Sequence, residues 1–361
     1  MNYGDGDLTA NLILKILKKS PEKIQTINLS QNHLGGHYDG RRPFSTDHLI
    51  SILNALPKSL ISLNLSHNYL HWLSADDFVT VIKALPAQLK SLNIASNNLE
   101  KYSASDLIKI LKALPQDLQS LNLDWMKLHE TFSAAEIIEI LKALPENLTS
   151  LTLRGNSLGL YSHEEQIQII SSLPKQLKHL DLANNFIRNL TGDNLSELFA
   201  ALPESLVSLS WCENGLNCLS SQELQQAFSS LCTSHLTSLL LSANVLEESK
   251  IIALLPFFAN SKITFLELKS TFMQDSGGYK GLSKETSDQI QKILWNNQKK
   301  SFMNPDPANE PQIYGLQALC GRAITLFPIH FDAEKTTKVA LDIIAESKWL
   351  IETEGLKVGR Y

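Results

Sequence analysis

The chain has 361 residues, 43% hydrophobic and 19% charged, which is enough apolar side chain to bury a core and excludes a disordered chain. A formal net charge of −5 argues against nucleic acid as a partner, because its recognition needs a concentrated basic surface. Four cysteines (Cys212, Cys218, Cys232 and Cys320) without CxxC spacing exclude a disulfide scaffold, and no clustered histidines support zinc at Cys212, Cys218 and Cys232. No run approaches the ~18 apolar residues that span a bilayer, so membrane insertion is not expected. The N-terminal apolar run is broken by Lys15 and does not read as a signal peptide.

In chain order, Asp7–Lys19 reads as an amphipathic helix closed by Pro21, making residues 1–22 an N-terminal cap. A repeated unit then begins at Ile24. "SLNLSHNYL" (Ser62–Leu70) and "LKSLNIASNNL" (Leu89–Leu99) show its core, and its asparagine falls at Asn32, Asn68, Asn97, Asn156, Asn185, Asn214 and Asn244. Met126 and Thr271 occupy the same place in two further units, giving about nine units over residues 23–300. From Asn68 to Asn244 every step is 29 or 30 residues; the first is 36 and the last 27.

Each unit has the same internal grammar. Leu63 and Leu65 alternate with Ser62 and Asn64, the pattern of a strand with one wet face. Next comes Ser-x-x-acid, as in Ser74 with Asp77, Ser103 with Asp106 and Ser133 with Glu136, the capping box of a helix start. A helical body follows and proline closes it, at Pro57, Pro86, Pro115, Pro145, Pro174 and Pro203. The Asn-x-Ser/Thr triplets, such as Asn64-Leu65-Ser66, are by-products of this grammar and not glycosylation sites. The first unit is longer by an insertion at Gly35–Arg42, whose His37, Tyr38, Arg41 and Arg42 form a candidate contact loop on one rim or a plain solvated loop. After the array, a helix is expected over Ser283–Lys299, a proline-rich linker over Ser301–Pro311 and two helices further on. Residues 301–361 would cap the last repeat or dock a partner.

The unit matches the pattern L-x-x-L-x-L-x-x-N-x-L over about Ile24–Leu282, and the chain resembles the leucine-rich repeat proteins, of the ribonuclease-inhibitor-like subtype. The resemblance implies an α/β solenoid, a horseshoe with parallel strands on its concave face, helices on its convex face and a small helical C-terminal segment. Strands pack ~4.8 Å apart and helices ~8–10 Å, so the strand side must be the inner arc. The "ALP…SLNLS" style of unit is also similar to leucine-rich repeat effectors of intracellular bacterial pathogens. That likeness implies export from the bacterial cytoplasm into the host cell cytoplasm, a monomer, and a host protein or another effector as partner. Its secretion signal would lie in "ETEGLKVGRY", where Glu352 and Glu354 are the only acidic hints.

No nucleotide loop, zinc-protease motif or nucleophile elbow occurs, and no cofactor is expected. The one triad-like set is His179 with Asp181 on one strand, flanked by Ser150 and Ser208; it lacks oxyanion donors, and the expectation is a protein without enzymatic activity. Cys320 has no partner at a nucleophile's spacing. Binding is the remaining function. The first three strands present small neutral residues, whereas the fourth to seventh present Asp124, Trp125, Arg154, His179, Asp181 and Glu213, the types that anchor interfaces. Trp125 either contacts a partner or packs against the neighbouring turn; Arg154 and Asp181 either meet a partner or pair with each other. An adaptor working through the C-terminal helices, a hydrolase built on His179, and membrane association through the N-terminal helix are the alternatives.

Overall fold

The computed structural model describes residues 13–15, 17, 23–36, 44–188, 190–231, 235–268 and 282–303. Each repeat supplies a three-residue strand whose central side chain is apolar and whose flanking side chains face the wet side, as the alternation requires. The strands are β1 (Thr26–Asn28), β2 (Ser62–Asn64), β3 (Ser91–Asn93), β4 (Ser120–Asn122), β5 (Ser150–Thr152), β6 (His179–Asp181), β7 (Ser208–Ser210), β8 (Ser238–Leu240) and β9 (Phe265–Glu267). They form one parallel sheet in sequence order. Register is unshifted throughout: Leu63 lies beside Leu92, and Leu92 beside Leu121. Every position of the repeat therefore stacks into a column. Spacing makes the sheet the inner, shorter arc and the helix layer the outer one.

The helices repeat almost as regularly. Thr46–Asn54, Ala75–Lys83, Ala104–Lys112, Ala134–Lys142, His163–Ser171 and Gly192–Ala200 are nine residues each. Each begins after a serine or threonine whose hydroxyl accepts the N–H three residues on. The reciprocal bond depends on side-chain length. Glu136 accepts the Ser133 N–H at 2.9 Å, and Glu165 and Glu223 do the same for Ser162 and Ser220. Asp77 and Asp106 are a methylene shorter and take only the hydroxyls of Ser74 and Ser103, at 2.6 and 2.7 Å, so the full box expected there is not formed. Proline follows the six nine-residue helices as expected, but Ser221–Ser230 ends without one and Glu248–Asn260 runs through Pro256. Leucine columns fill the core, and in the later units Trp211 stands in for leucine, fully buried and edge-on to Phe199 with centroids 5.0 Å apart.

The repeated asparagine binds units together. Asn185, fully buried, accepts the Asn156 N–H at 3.0 Å and the Leu158 N–H at 3.3 Å. Its amide donates to the carbonyls of Leu153, Leu182 and Ala183 at 2.9, 2.9 and 3.3 Å. Asn68, Asn97, Asn214 and Asn244 also accept the N–H of the preceding unit's ladder residue, forming the ladder that a column of asparagines recurring where the chain leaves each strand leads one to expect. Met126 interrupts it. Its own N–H still reaches Asn156 Oδ1 at 2.9 Å, but its side chain gives Asn97 N–H no acceptor in return.

Both ends of the array are covered by helix. Ile13–Lys15 and Leu17 are helical and Leu17 is buried; the rest of the expected cap over residues 1–22 that precedes Lys23 lies outside the described residues. The C-terminal helix is Lys284–Met303, so residues 301–303, expected as linker, continue it. Its Asn297 amide donates to the Phe258 and Ile263 carbonyls, both at 2.8 Å, and Glu248 accepts the Ser283 N–H at 3.1 Å. This helix closes the last described repeat. The linker and helices expected after Met303 lie outside the described residues.

Replacing Asn185 with alanine orphans buried groups in two units and should destabilise the chain by about 2–4 kcal/mol in urea unfolding, against under about 1 kcal/mol for Asn122→Ala, which loses one half-exposed local bond. Backbone and hydroxyl bonds from Ser133 hold Glu136 below its usual 4.5, and the Ser220 hydroxyl and N–H do the same for Glu223. A depressed folded pKa stabilises fully above the unfolded value and is lost as pH falls through the folded one. Thermal stability should therefore decline below about pH 4.5, and less steeply in a Glu136→Gln/Glu223→Gln variant.

Candidate interaction surface

The chain leaves each of β1 to β8 through a turn with two residues at positive φ, one on either side of the ladder position. His67 and Tyr69 flank Asn68, Trp125 and Lys127 flank Met126, and Asn184 and Phe186 flank Asn185. Glycine takes such a position only at Gly155 (φ 70°) and Gly215 (φ 74°). Elsewhere the left-handed backbone costs roughly 1–2 kcal/mol per residue and is held by the ladder bonds between the two positions. The result is a rim, at the strand exits, on which large side chains stand. Trp125, Phe186 and Val245 are exposed there.

Trp125 adopts φ 59°, its N–H held by the Arg154 carbonyl at 2.8 Å. Its ring lies against Gly155, the matching turn position one unit on: a Cβ added to Gly155 would fall 2.4 Å from Trp125 Cε3. The ring still exposes 47% of its surface. Packing against the next turn and availability to a partner, set out above as alternatives, thus coexist. Trp72 rests in the same way on Gly36 and is 51% exposed.

Asp124 has a structural task that sequence reading did not assign. Asn64, Asn93, Asn122 and Asp181, at the last position of their strands, each accept the N–H two residues on at 2.8–2.9 Å. Strand β5 ends in Thr152, and the Arg154 N–H left over is accepted by Asp124 Oδ1 at 2.8 Å. Burial pushes the Asp124 carboxyl above its ordinary value, and the charge of Asp181 adds to the rise. The Arg154 guanidinium pairs with Glu213 two strands away, both side chains half-buried; the pairing with Asp181 considered above is not made. Fully buried Ala183, in the unit between, leaves the arginine room to pass.

His179 lies between Ser150 and Ser208 in register, as expected, yet hydrogen-bonds to neither. It is exposed to solvent, but the protein mass around the inner face lowers its pKa and Lys178 lowers it further. With Asp181 turned to the Ala183 N–H, no Ser–His–Asp relay is assembled. Cys212 and Cys218 are free thiols, and burial raises the Cys212 pKa. Among the described residues no group of three histidine, cysteine or acidic side chains is placed to hold a metal, and no helix is long and apolar enough to cross a membrane. His37, Tyr38, Arg41 and Arg42, and also Cys232 and Cys320, lie outside the described residues.

Sequence reasoning missed Trp72 and Leu160, each the third residue of a 3₁₀ turn on this rim and 51% and 54% exposed. The signal was present: the same column holds Lys101 and Cys218 in other units, so two large apolar residues there depart from type.

A single parallel sheet, an asparagine ladder and one helix per unit define a leucine-rich repeat solenoid, a protein-interaction scaffold by architecture. Among solved structures it is similar to the leucine-rich repeat-containing protein LegL7 from Legionella pneumophila, with a TM-score of 0.63 and 27% identity over 82% of this chain and 96% of that one. The tropomodulin C-terminal domain of Caenorhabditis elegans matches with a TM-score of 0.31 and 17% identity over 56% of this chain and 97% of that one. No family model and no curated protein matches the sequence.

Gly155→Ala should destabilise the chain by roughly 1–3 kcal/mol, through its left-handed backbone and the collision with the indole. In the Trp125→Ala background the collision component should vanish, which a double-mutant cycle by chemical denaturation would resolve.

Proposed function

We propose that this chain is a non-enzymatic scaffold that docks a protein partner on the inner face and strand-exit rim of β4 to β7, and blocks or redirects it. The observation that carries the reading is the exposed indole of Trp125, held against Gly155 beside the Arg154–Glu213 ion pair. Aromatic and arginine side chains already fixed in place lose little entropy on binding, which is what an interface centre needs. Phe186 and Val245 extend the same rim with apolar surface. Inhibition would be steric, a large pre-ordered surface covering the partner's working site.

The likeness to a Legionella pneumophila protein supports a bacterial setting. With the effector-like style of the repeats, it favours a chain exported from the bacterial cytoplasm into the host cell, where the partner is a host protein or another effector. Affinity recovery from host-cell lysate, read by mass spectrometry, tests the site. Trp125→Ala and Glu213→Gln should each reduce recovery of the wild-type partner roughly tenfold with circular dichroism unchanged. Equal recovery by both folded variants would sink the assignment to this patch.

A further inference from the structure

The inner face carries more negative charge than its fold uses. Asp124, Asp181, Glu213 and Glu267 lie on or beside it in the later units, while β1 to β3 offer only Thr, Ser and Asn. Arg154 is taken by Glu213. On the same rim Lys127 pairs with Glu130 at 3.9 Å, and Arg188 lies over the Phe186 ring at 5.2 Å; neither forms an ion pair with Asp124 or Asp181. Lys178 precedes β6 at the strand entry, whereas Asp181 and Asp124 sit at the exits.

Neither aspartate needs its charge to hold the turn. Asn64, Asn93 and Asn122 do the work of Asp181 with a neutral amide, accepting the N–H two residues on at 2.8–2.9 Å. Asp124 serves the fold as an acceptor for one N–H, which an amide oxygen would also supply. The two carboxylates repel each other, and burial makes the Asp124 charge costly. The two carboxylates stand in the units on either side of β5, near enough for Asp181 to act on Asp124, and with Trp125 directly following Asp124 they form a surface complementary to a cation on an apolar stem.

We propose that the partner inserts a lysine or arginine side chain between Asp124 and Asp181, from a segment whose apolar residue rests on Trp125. This rests on the scaffold reading above and adds the chemistry of the partner. Opposite charge on a concave face also steers the encounter, so binding weakens as salt rises.

The test uses the full chain and a randomised peptide library displayed on phage. Selected peptides should be rich in lysine or arginine next to an aromatic or aliphatic residue. They should bind an Asp124→Asn/Asp181→Asn variant roughly tenfold or more weakly, and that variant should melt no lower than the wild type. Binders without basic residues, or equal affinity for the variant, would overturn the basic segment and leave the scaffold reading standing. A library that yields no binder to the wild type counts against both. Should the double variant melt lower, Asp181→Asn alone supplies the affinity comparison, because its amide reproduces the strand-end bond of the other units.

Discussion

A buried side-chain amide that serves two neighbouring turns at once is the constraint on which the rest of this molecule depends. Each ladder asparagine takes an N–H from the preceding unit and gives its own hydrogens to carbonyls of both units, as Asn185 does for Asn156, Leu153 and Leu182. A unit one residue out of phase would bury these groups without partners, at 1–3 kcal/mol for each. That penalty explains why strand register does not slip from β1 to β8, even across the longer first unit. It also explains how fourteen of the described residues other than glycine occupy left-handed backbone: the bonds between the two turn positions hold them there.

The candidate surface inherits its rigidity from this arrangement. Because the ladder fixes the backbone, the residues on either side of it vary without moving the turn, and Trp125, Phe186 and Glu213 all sit at such positions. Adjustments then pass from unit to unit. Threonine at the end of β5 leaves an N–H that Asp124 of the previous unit accepts, and the glycine at 155 makes space for the indole of the unit before it. Met126, the one internal gap in the ladder, lies beside both. Here the fold exchanges one amide acceptor for a buried thioether.

Features set within one unit were legible in the sequence. The strand leucines, the Ser-x-x-Glu caps and the closing prolines each depend on residues a few places apart, and they stand where the pattern put them. Of the features that join units, the asparagine ladder was legible from its fixed recurrence, and the side-chain ties were not. The reach of Arg154 to Glu213 depends on Ala183 being small in the unit between, a relation across fifty-nine positions. Paired left-handed residues carried no glycine signature, since His67, Tyr69, Ser96 and Asn98 fill the places where glycine would announce them. The shortfall of the aspartate caps is a matter of one methylene, visible only when the hydroxyl and the N–H compete as donors.

The Arg154–Glu213 pair joins units that are not neighbours, since the unit of β6 lies between them. Among the described residues the other bonds that cross between units in the inner layer link a unit to the next one, so the solenoid is built like a spring, its bending shared over many equal joints. A tie that skips a joint acts differently. It ties the first of three units to the third, so that opening either joint between them strains the same contact. Bending in the middle of the array is thereby coupled over two joints instead of one, which makes its curvature a shared property of three units.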